Sequence, residues 1–351
     1  MKKKRILHVI SVLEGGVHTV IQEILSGSID NYENTVIVTG KYTPFSPSIE
    51  KNIRFIAING SNRFNIKNII KVYQLIKKND IIHAHLFPAL YYCALFKLFY
   101  PKKKFIYTEH ASTNNRRKYK IFRYIEIPIY QSYNHVVAVS ESCKKNLDKW
   151  LCHKVKVQTI YNGINIKKFQ TQPKLNFQQI GINSKYIITM IARLSTDKDF
   201  STLLKAMTLL SNDYHLVLVG DGDLRNQIKN EIHLLSLDKK VTLLGYRNDT
   251  ASILAASTLS VLSSHAEGMG LTIIESLATN TPCLGSDVEG IQDILPKEYR
   301  FTKGDYKELA NRIKKIVMNE ISPLPYHEIV EKYSAQKMVN AYHQIYKDSN
   351  V

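Results

Sequence analysis

Two glutamates, Glu267 and Glu275, bracket a Gly-x-Gly turn and have seven residues between them. The preceding segment, 258–262, predicts a short buried strand, and the apolar spacing over 271–278 predicts a helix. Glu267 should therefore lie in a strand-to-helix loop, and Glu275 about one turn into the helix. The N–H groups at a helix N-terminus favour anions, and glycines let a ligand approach the backbone. This pattern suits an anion flanked by hydroxyl groups, such as a nucleotide sugar; the alternative is a tight turn with one surface glutamate and one on a helix face.

Strands and helices alternate along the chain, which predicts an α/β fold with parallel sheets. The alternation weakens over the Asn- and Gln-rich segment 161–184, which is predicted to be a linker, and then restarts. We therefore expect two Rossmann-like domains, 1–160 and 161–334, with the last helix, about 335–351, packing back on the first. Two such domains in series predict a cleft between the carboxyl ends of their strands, where small ligands bind.

The length of 351 residues, of which 44% are hydrophobic, favours two domains with full cores. The longest apolar run falls short of the roughly 18 residues that a transmembrane helix needs, so none is expected. The basic N-terminus leads into a short apolar run that contains His8, which favours a first strand over a signal peptide. The cysteines have no metal-binding or redox spacing and are expected to be reduced core residues of a cytosolic protein: Cys93, Cys143, Cys152 and Cys283.

The net charge of +18 lies almost entirely in the first half of the chain. Residues 1–160 hold 26 Lys and Arg against 10 Asp and Glu, a net charge of +16. Such a half favours an anionic partner, which is a membrane surface, a phosphorylated acceptor or nucleic acid. Two stretches combine aromatic and basic residues, 91–107 and 116–133, and they favour contact with anionic lipid. The alternatives are a general compositional bias towards lysine and, for 116–133, a buried helix with a solvated basic face.

With both halves considered, the chain resembles the retaining glycosyltransferases of family 4, which have two Rossmann-like domains in the GT-B fold. The most specific similarity lies at 267–278, which is similar to the Glu-x7-Glu motif of that family. Met269 stands where the family often has Phe. Further similar segments are Leu13–Gly16, Ile82–His85, Thr108–His110, Tyr161–Ile164, Ala192–Leu194 with Lys198, and Gly220–Gly222.

The resemblance implies roles for particular residues. Glu275 would accept hydrogen bonds from ribose hydroxyls, and Glu267 would hold hydroxyls of the donor sugar. His110 would lie near the donor sugar at the reacting centre, so His110 and Glu267 are the expected catalytic residues. Cations would clamp the diphosphate, helped by backbone N–H groups. The expected donor-binding residues are Gly15, Gly16, Arg193, Lys198, Gly268, Gly270, Leu271, Thr272 and Glu275.

No metal ion or other cofactor is expected. The run Asp221-Gly222-Asp223 is similar to the Asp-x-Asp motif of metal-dependent transferases, but it follows a predicted strand and opens a helix, as in the metal-free family. His83 and His85 resemble a pair of metal ligands. We expect only one of these two rings to point to the ligand-binding side of the sheet, and therefore expect no metal there.

The resemblance implies transfer of a hexose from a nucleoside-diphosphate sugar, most commonly a UDP-sugar, to a hydroxyl of a sugar or lipid-linked acceptor, with retention at the anomeric carbon. It favours a bacterial enzyme of cell-envelope or exopolysaccharide synthesis that is cytoplasmic and peripheral at the inner face of the membrane. A nucleotide-sugar epimerase of the same architecture is the alternative. A basic nucleic-acid-binding protein is less favoured because no binding motif for nucleic acid is present, and no nucleic-acid partner is expected.

Overall fold

The computed structural model describes residues 3–58, 65–112 and 114–348. Among these residues the chain divides into two units. Unit 1 contains the described residues of Met1–Gly163 and Ala335–Val351, and unit 2 contains Ile164–Ser334. Each unit is built on a parallel β-sheet, which confirms the predicted α/β class with two Rossmann-like domains.

Seven strands form the sheet of unit 1 within the described ranges: β1 (Lys4–Ile10), β2 (Tyr32–Val38), β3 (Arg54–Ala57), β4 (Ile81–His85), β5 (Lys104–Glu109), β6 (His135–Ala138) and β7 (Val157–Thr159). Their order is β3-β2-β1-β4-β5-β6-β7, and all pairs are parallel. The order reverses between β1 and β4, and ligands of doubly wound sheets bind outside such a reversal. The helices between the strands are α1 (Gly15–Ser28), α2 (Pro47–Glu50), α3 (Ile66–Lys78), α4 (Ala89–Lys97), α5 (Ile121–Gln131) and α6 (Glu141–Trp150).

Unit 2 repeats this plan on a smaller sheet. Its described strands are β8 (Tyr186–Ile191), β9 (Tyr214–Val219), β10 (Val241–Gly245), β11 (Leu259–Leu262), β12 (Cys283–Ser286) and β13 (Arg300–Phe301), in the order β10-β9-β8-β11-β12-β13. The order reverses between β8 and β11, which are parallel neighbours. Its helices are α7 (Ile166–Gln170), α8 (Phe200–Thr208), α9 (Arg225–Leu234), α10 (Thr250–Ala256), α11 (Leu271–Ala278), α12 (Tyr306–Val317) and α13 (Tyr326–Lys332).

The last helix, α14 (Ala335–Lys347), belongs to unit 1, where it packs against α1. A Cβ at Gly27 of α1 would lie 2.6 Å from Val339, so the two helices approach as closely as glycine permits. Tyr342 and Tyr346 of α14 are fully buried. The ammonium of Lys104 donates to the carbonyl of Ile345 at 2.8 Å, which satisfies the C-terminus of the helix.

Two local predictions need correction. The chain passes from unit 1 to unit 2 between Gly163 and Ile164, inside the predicted linker 161–184, but residues 164–184 belong to unit 2 and bury Phe169 and Phe177. The asparagines of this segment cap short helical turns, as when Asn165 accepts from the N–H of Lys168, so they do not indicate a flexible segment. Of the four cysteines only Cys152 is exposed; the other three are buried as expected.

Within the described ranges, no helix combines the length and the apolar character that crossing a bilayer requires.

Candidate functional site

The reversal of strand order in unit 2 brings two loops together at one edge of the sheet. β8 and β11 are adjacent and parallel, so the loop after β8 (192–199) and the loop after β11 (263–270) start at the same edge. Two backbone hydrogen bonds join them: Asp199 donates to the carbonyl of Ser263 at 3.0 Å, and His265 donates to that of Asp197 at 2.8 Å. The two loops therefore position their side chains as one structure.

Lys198 and Glu267 meet where these loops join. The ammonium of Lys198 lies 2.5 Å from Oε1 of Glu267 and 2.9 Å from Oδ2 of Asp197, and Ser264 donates to the same Oε1 at 2.8 Å. The side chains of Lys198 and Glu267 are only 13% and 12% exposed. Burial alone would lower the pKa of Lys198, but the carboxylates of Glu267 and Asp197 outweigh it and raise that pKa. The lysine thus stays cationic in a largely enclosed place.

Asp197 and Ser264 were not predicted as site residues. Both hold the predicted pair in place through side-chain hydrogen bonds or an ion pair. The signal that could have found them is their position: each is a polar residue within three residues of Lys198 or Glu267 in a loop after a buried strand.

Arg193 is exposed on the loop after β8, and the run Gly220–Gly222 supports the backbone there. Gly220 has φ +135°, and a Cβ on it would lie 2.0 Å from the carbonyl oxygen of Ala192. A Cβ on Gly222 would lie 2.4 Å from the carbonyl oxygen of Leu194. The two glycines therefore allow the loop that carries Arg193 to lie directly on the loop after β9.

The N-terminus of α11 completes this edge of unit 2. Gly270 precedes the helix with φ +78°, and Thr272 Oγ1 donates to the carbonyl of Ile191 at 3.3 Å. The first N–H groups of a helix, here those of Leu271 and Thr272, have no acceptor within the helix and carry its positive dipole end. Gly268 lies in the loop just before, so a ligand anion at this point would meet backbone N–H groups and the cation of Lys198 together.

Gly290 is a further supporting residue that sequence reasoning missed. It has φ +83°, and a Cβ there would lie 2.7 Å from the carbonyl oxygen of Glu267 and 2.9 Å from the carbonyl carbon of Gly268. Only glycine fits, and this close approach fixes the path of the Glu267 loop. The sequence signal that could have found it is the glycine itself, but sequence alone does not connect Gly290 to the loop after β11.

Glu275 lies in α11 one turn from its start, as its spacing predicted. Burial raises the pKa of its carboxyl to about 7, and the positive charge of Lys168 opposes this only in part. A carboxyl with such a pKa is a frequent feature of binding and catalytic sites. Once ionised, it accepts hydrogen bonds from hydroxyl groups and cannot donate any.

Replacing Glu275 by Gln should stabilise the ligand-free protein at high pH. Because the folded pKa is above the unfolded value, the stability contributed by the protonated Glu275 is present at low pH and is lost as the pH rises through about 7. We therefore compare the free energy of unfolding of Glu275→Gln with that of the wild type. The difference, variant minus wild type, should increase by about 2 kcal/mol between about pH 5 and about pH 8. Urea unfolding at both pH values measures this. Glu331→Gln, at an exposed position of unit 2, is the control for loss of a carboxylate; an equal gain in that variant would contradict the assignment.

In unit 1, the predicted residues lie at the carboxyl edge of the sheet near its reversal. Gly15 and Gly16 form the first turn of α1, which follows β1. His110 directly follows β5, and its Nε2 lies 3.2 Å from Nδ1 of His85, the last residue of β4. Burial lowers the pKa of His110 to about 4, so the ring is neutral at neutral pH.

The expectation that His83 and His85 point to opposite sides was wrong. Residues two apart in a strand share a face, and the two ring centroids are 3.9 Å apart. With His8 of β1 they form a buried cluster in which one ring nitrogen from each histidine lies within 4.8 Å of the others. Both nitrogens of His83 already have protein partners, Tyr346 and Thr108, each at 2.8 Å.

Two family models match the chain one after the other. The model described as Glycosyltransferase Family 4 matches residues 14–168, and the model described as Glycosyl transferases group 1 matches residues 173–337. The second match contains every predicted residue of unit 2, including Arg193 and Glu275. The first contains Gly15, Gly16 and His110.

Curated relatives and solved structures agree with these matches. The chain is 27% identical over 333 residues to the UDP-Gal:alpha-D-GlcNAc-diphosphoundecaprenol alpha-1,3-galactosyltransferase of Escherichia coli, covering 87% of this chain and 83% of that protein. It is 27% identical over 200 residues to the capsular polysaccharide biosynthesis glycosyltransferase CapM of Staphylococcus aureus, covering 53% and 52%. The fold is similar to that of Anabaena HepE in complex with UDP-glucose, with a TM-score of 0.83, 19% identity, and 97% and 99% of the two chains covered.

Proposed function

We propose that this chain, which belongs to the GT-B glycosyltransferases of the family 4 type, transfers a sugar from a UDP-sugar to a hydroxyl of a lipid-linked saccharide. Configuration at the anomeric carbon is retained, and the product is an intermediate of a bacterial cell-envelope polysaccharide. Unit 2 binds the nucleotide sugar, and the basic unit 1 carries the acceptor side.

The single observation that carries this proposal is the contact of Lys198 with Glu267 beside the N-terminus of α11. It sets a buried cation, a carboxylate and backbone N–H groups at one edge of the sheet. Negative charge grows on the diphosphate as it leaves, and Lys198, Arg193 and the helix N-terminus stabilise that charge. Glu267 holds hydroxyls of the donor sugar, and Glu275 holds the ribose. These groups supply the positive charge for the leaving diphosphate from the protein itself, so we propose that no metal ion is needed.

We propose no protein nucleophile. Oε1 of Glu267 already accepts hydrogen bonds from Lys198 and Ser264, so this oxygen is engaged by the protein itself. A same-face displacement, in which the leaving phosphate helps to deprotonate the acceptor hydroxyl, needs only the electrostatic groups named above. The choice of UDP is supported by UDP-Gal in the name of the E. coli relative and by UDP-glucose in the HepE complex.

The lipid-linked acceptor is supported by the diphosphoundecaprenol in the name of the E. coli relative. We propose that unit 1 meets the membrane, where such a lipid is held, from the cytoplasmic side. Its apolar side chains at the end of α4 and on α5 are strongly exposed: Leu98 is 73% exposed and Tyr124 is 75% exposed. The two helices pack against each other, and exposed lysines follow or precede them, at Lys102, Lys118 and Lys120.

The basic stretches of unit 1 are not uniformly available for lipid. Arg116 pairs with the buried Glu126 at 2.7 Å, and Arg117 pairs with Glu109 at 2.8 Å. Lys103 donates to three carbonyls at the end of α3, and Lys104 is buried against α14. The membrane proposal therefore depends on the exposed apolar side chains and the lysines beside them, not on the whole charge of +16 in residues 1–160.

Reversing the charge of Lys118 and Lys120 together should weaken binding to vesicles that contain anionic phospholipid. Each basic residue near such a surface contributes about 1 kcal/mol, so we expect affinity to fall at least about tenfold at low salt. Vesicle sedimentation measures the effect, and Lys229→Glu with Lys239→Glu, two exposed lysines of unit 2, is the control. Equal loss in both pairs would indicate a net-charge effect and contradict a docking face on unit 1.

A screen of nucleotide sugars by thermal shift tests the function as a whole. We expect UDP-sugars to raise the melting temperature, and the best of them to support transfer to an undecaprenyl-diphosphate-linked saccharide, with the α or β product identified by NMR. An isomerised nucleotide sugar formed without acceptor would instead indicate an epimerase. No stabilisation by any nucleotide sugar would overturn the proposal.

A further inference from the structure

Three histidines of unit 1 form a chain of hydrogen bonds that ends at His110. Nδ1 of His8 lies 3.3 Å from Nε2 of His85, and Nδ1 of His85 lies 3.2 Å from Nε2 of His110. His8 and His85 are completely buried, on the adjacent strands β1 and β4. The chain therefore links the core of unit 1 to a residue at the edge of its sheet.

Asn34 of β2 lies beyond the other end of this chain. Within the described part of the molecule, neither Nε2 of His8 nor Oδ1 of Asn34 has a hydrogen-bond partner, although both atoms are buried. Burial lowers the pKa of His8 to about 4, and the side chain of Asn34 opposes this in part. The two side chains must therefore lie close together. They are therefore neighbours that lack ordinary hydrogen-bond geometry.

The orientation of the Asn34 amide is fixed by its other contacts. Ser28 donates its hydroxyl proton to the carbonyl of Leu25 at 3.1 Å, so its oxygen must accept from Nδ2 of Asn34, 3.0 Å away. Oδ1 of Asn34 is therefore the atom that remains, and it can only accept a proton.

An acceptor beside Nε2 of His8 determines which nitrogen donates in each hydrogen bond between the three histidines. If Nε2 of His8 carries the proton, it points to Oδ1 of Asn34, and Nδ1 of His8 accepts from Nε2–H of His85. Nδ1 of His85 then accepts from Nε2–H of His110. The reverse direction would leave the lone pair of His8 beside the lone pairs of a buried carbonyl oxygen, with no proton between them, and such an arrangement is costly.

We propose that Asn34, His8 and His85 are positioning residues that fix His110 as its Nε2–H tautomer, so that Nδ1 of His110 accepts a hydrogen bond from a sugar hydroxyl of the substrate. The hydrogen bond at one ring nitrogen determines the state of the other. The role of His110 toward substrate rests on the proposed function, whereas the tautomer does not. Burial keeps these rings neutral at neutral pH, as a chain with one proton per bond requires.

NMR of the protein with isotope-labelled histidine tests the tautomer without any substrate. Long-range proton–nitrogen correlations should show a proton on Nε2 of His110 and none on Nδ1, with the signals assigned by their loss in His110→Asn. His8→Phe removes the acceptor of His85, so both His85 and His110 should move to their Nδ1–H forms. Asn34→Leu, which keeps the ring of His8, should produce the same change and serves if His8→Phe does not fold.

His83→Phe is the matched control, because His83 is equally buried on the same face of β4 but its two ring nitrogens bond to Tyr346 and Thr108 instead of to the three histidines. His110 should keep its tautomer there. In transfer assays, His8→Phe and Asn34→Leu should lower kcat about tenfold, at the lower end of the loss seen when the orienting partner of a metal-binding histidine is removed, with the Kd for UDP unchanged.

Several outcomes would overturn the proposal. They are a proton on Nδ1 of His110 in the wild type, a tautomer that is unchanged in both variants, or an altered tautomer with unchanged kcat. Stoichiometric zinc binding by the purified protein, with loss of the ring proton signals, would show that the histidines form a metal site instead. If the donor screen fails but the NMR result is as expected, the proposed function fails while the hydrogen-bond chain stands.

Discussion

Lys198→Met should lower kcat/KM for sugar transfer by about two to three orders of magnitude, the loss expected when one preorganised charged group is removed from a developing anion. The reason lies in the surroundings of Lys198. Its side chain is 13% exposed, and its ammonium stays charged because two carboxylates outweigh the effect of burial on its pKa. When a diphosphate binds, this cation is already in place and already largely desolvated, so it acts at close to full strength.

Lys198 also neutralises Glu267, so Lys198→Met should have two separate effects. Without the ammonium, Glu267 loses its ion pair with Lys198, and removing one partner of a largely buried ion pair is costly. Part of the effect should therefore appear as a weaker interaction with the donor sugar, in addition to the weaker binding of UDP. Isothermal titration with UDP and with the full UDP-sugar separates the two parts.

Lys205→Met, at an exposed position of α8 in the same unit, is the control and should keep wild-type turnover. Lys198→Arg keeps the charge but changes its shape, so it should recover part of the rate. Wild-type kcat/KM in Lys198→Met, with the folded state confirmed by thermal unfolding, would remove Lys198 from the site.

The pairing of Lys198 with Glu267 shows what the sequence could and could not predict. Each residue was identified from its own loop and from resemblance, because loops after parallel strands carry ligand-binding groups. Their contact joins residues 69 positions apart and depends on β8 and β11 being neighbours, which alternation of strands and helices does not determine. The fold class follows from local periodicity, whereas strand order is a property of the whole sheet.

The roles of several asparagines and lysines also could not be predicted from composition. A segment rich in Asn was predicted to be a linker, yet Asn165 and Asn176 cap helical turns. The stretch 91–107 was predicted to favour contact with anionic lipid, yet two of its lysines, Lys103 and Lys104, satisfy the carbonyl ends of α3 and α14. Capping depends on which helix end lies nearby, and this is decided by tertiary structure rather than by composition.

Glu267→Gln and Glu275→Gln should separate turnover from nucleotide binding. Glu267→Gln keeps the size of the side chain and an acceptor for Ser264 but removes the carboxylate, so we expect kcat to fall about a hundredfold while the Kd for UDP is retained. Glu275→Gln loses charge-assisted hydrogen bonds to the ribose, each contributing about 1.5–3 kcal/mol, so the Kd for UDP should rise at least about tenfold. Binding and turnover are measured at about pH 8, where a carboxyl with a pKa of about 7 is mostly ionised.

The two variants are matched controls for each other, since both exchange a carboxylate for an amide at the same edge of unit 2. The pH dependence adds an independent check on Glu275. Because its ionised form accepts from hydroxyls, UDP should bind the wild type more tightly as the pH rises through about 7, and Glu275→Gln should lose that dependence. If Glu267→Gln weakens UDP binding and Glu275→Gln leaves it intact, the two glutamates exchange roles, and the ribose must lie beside Lys198 rather than along α11.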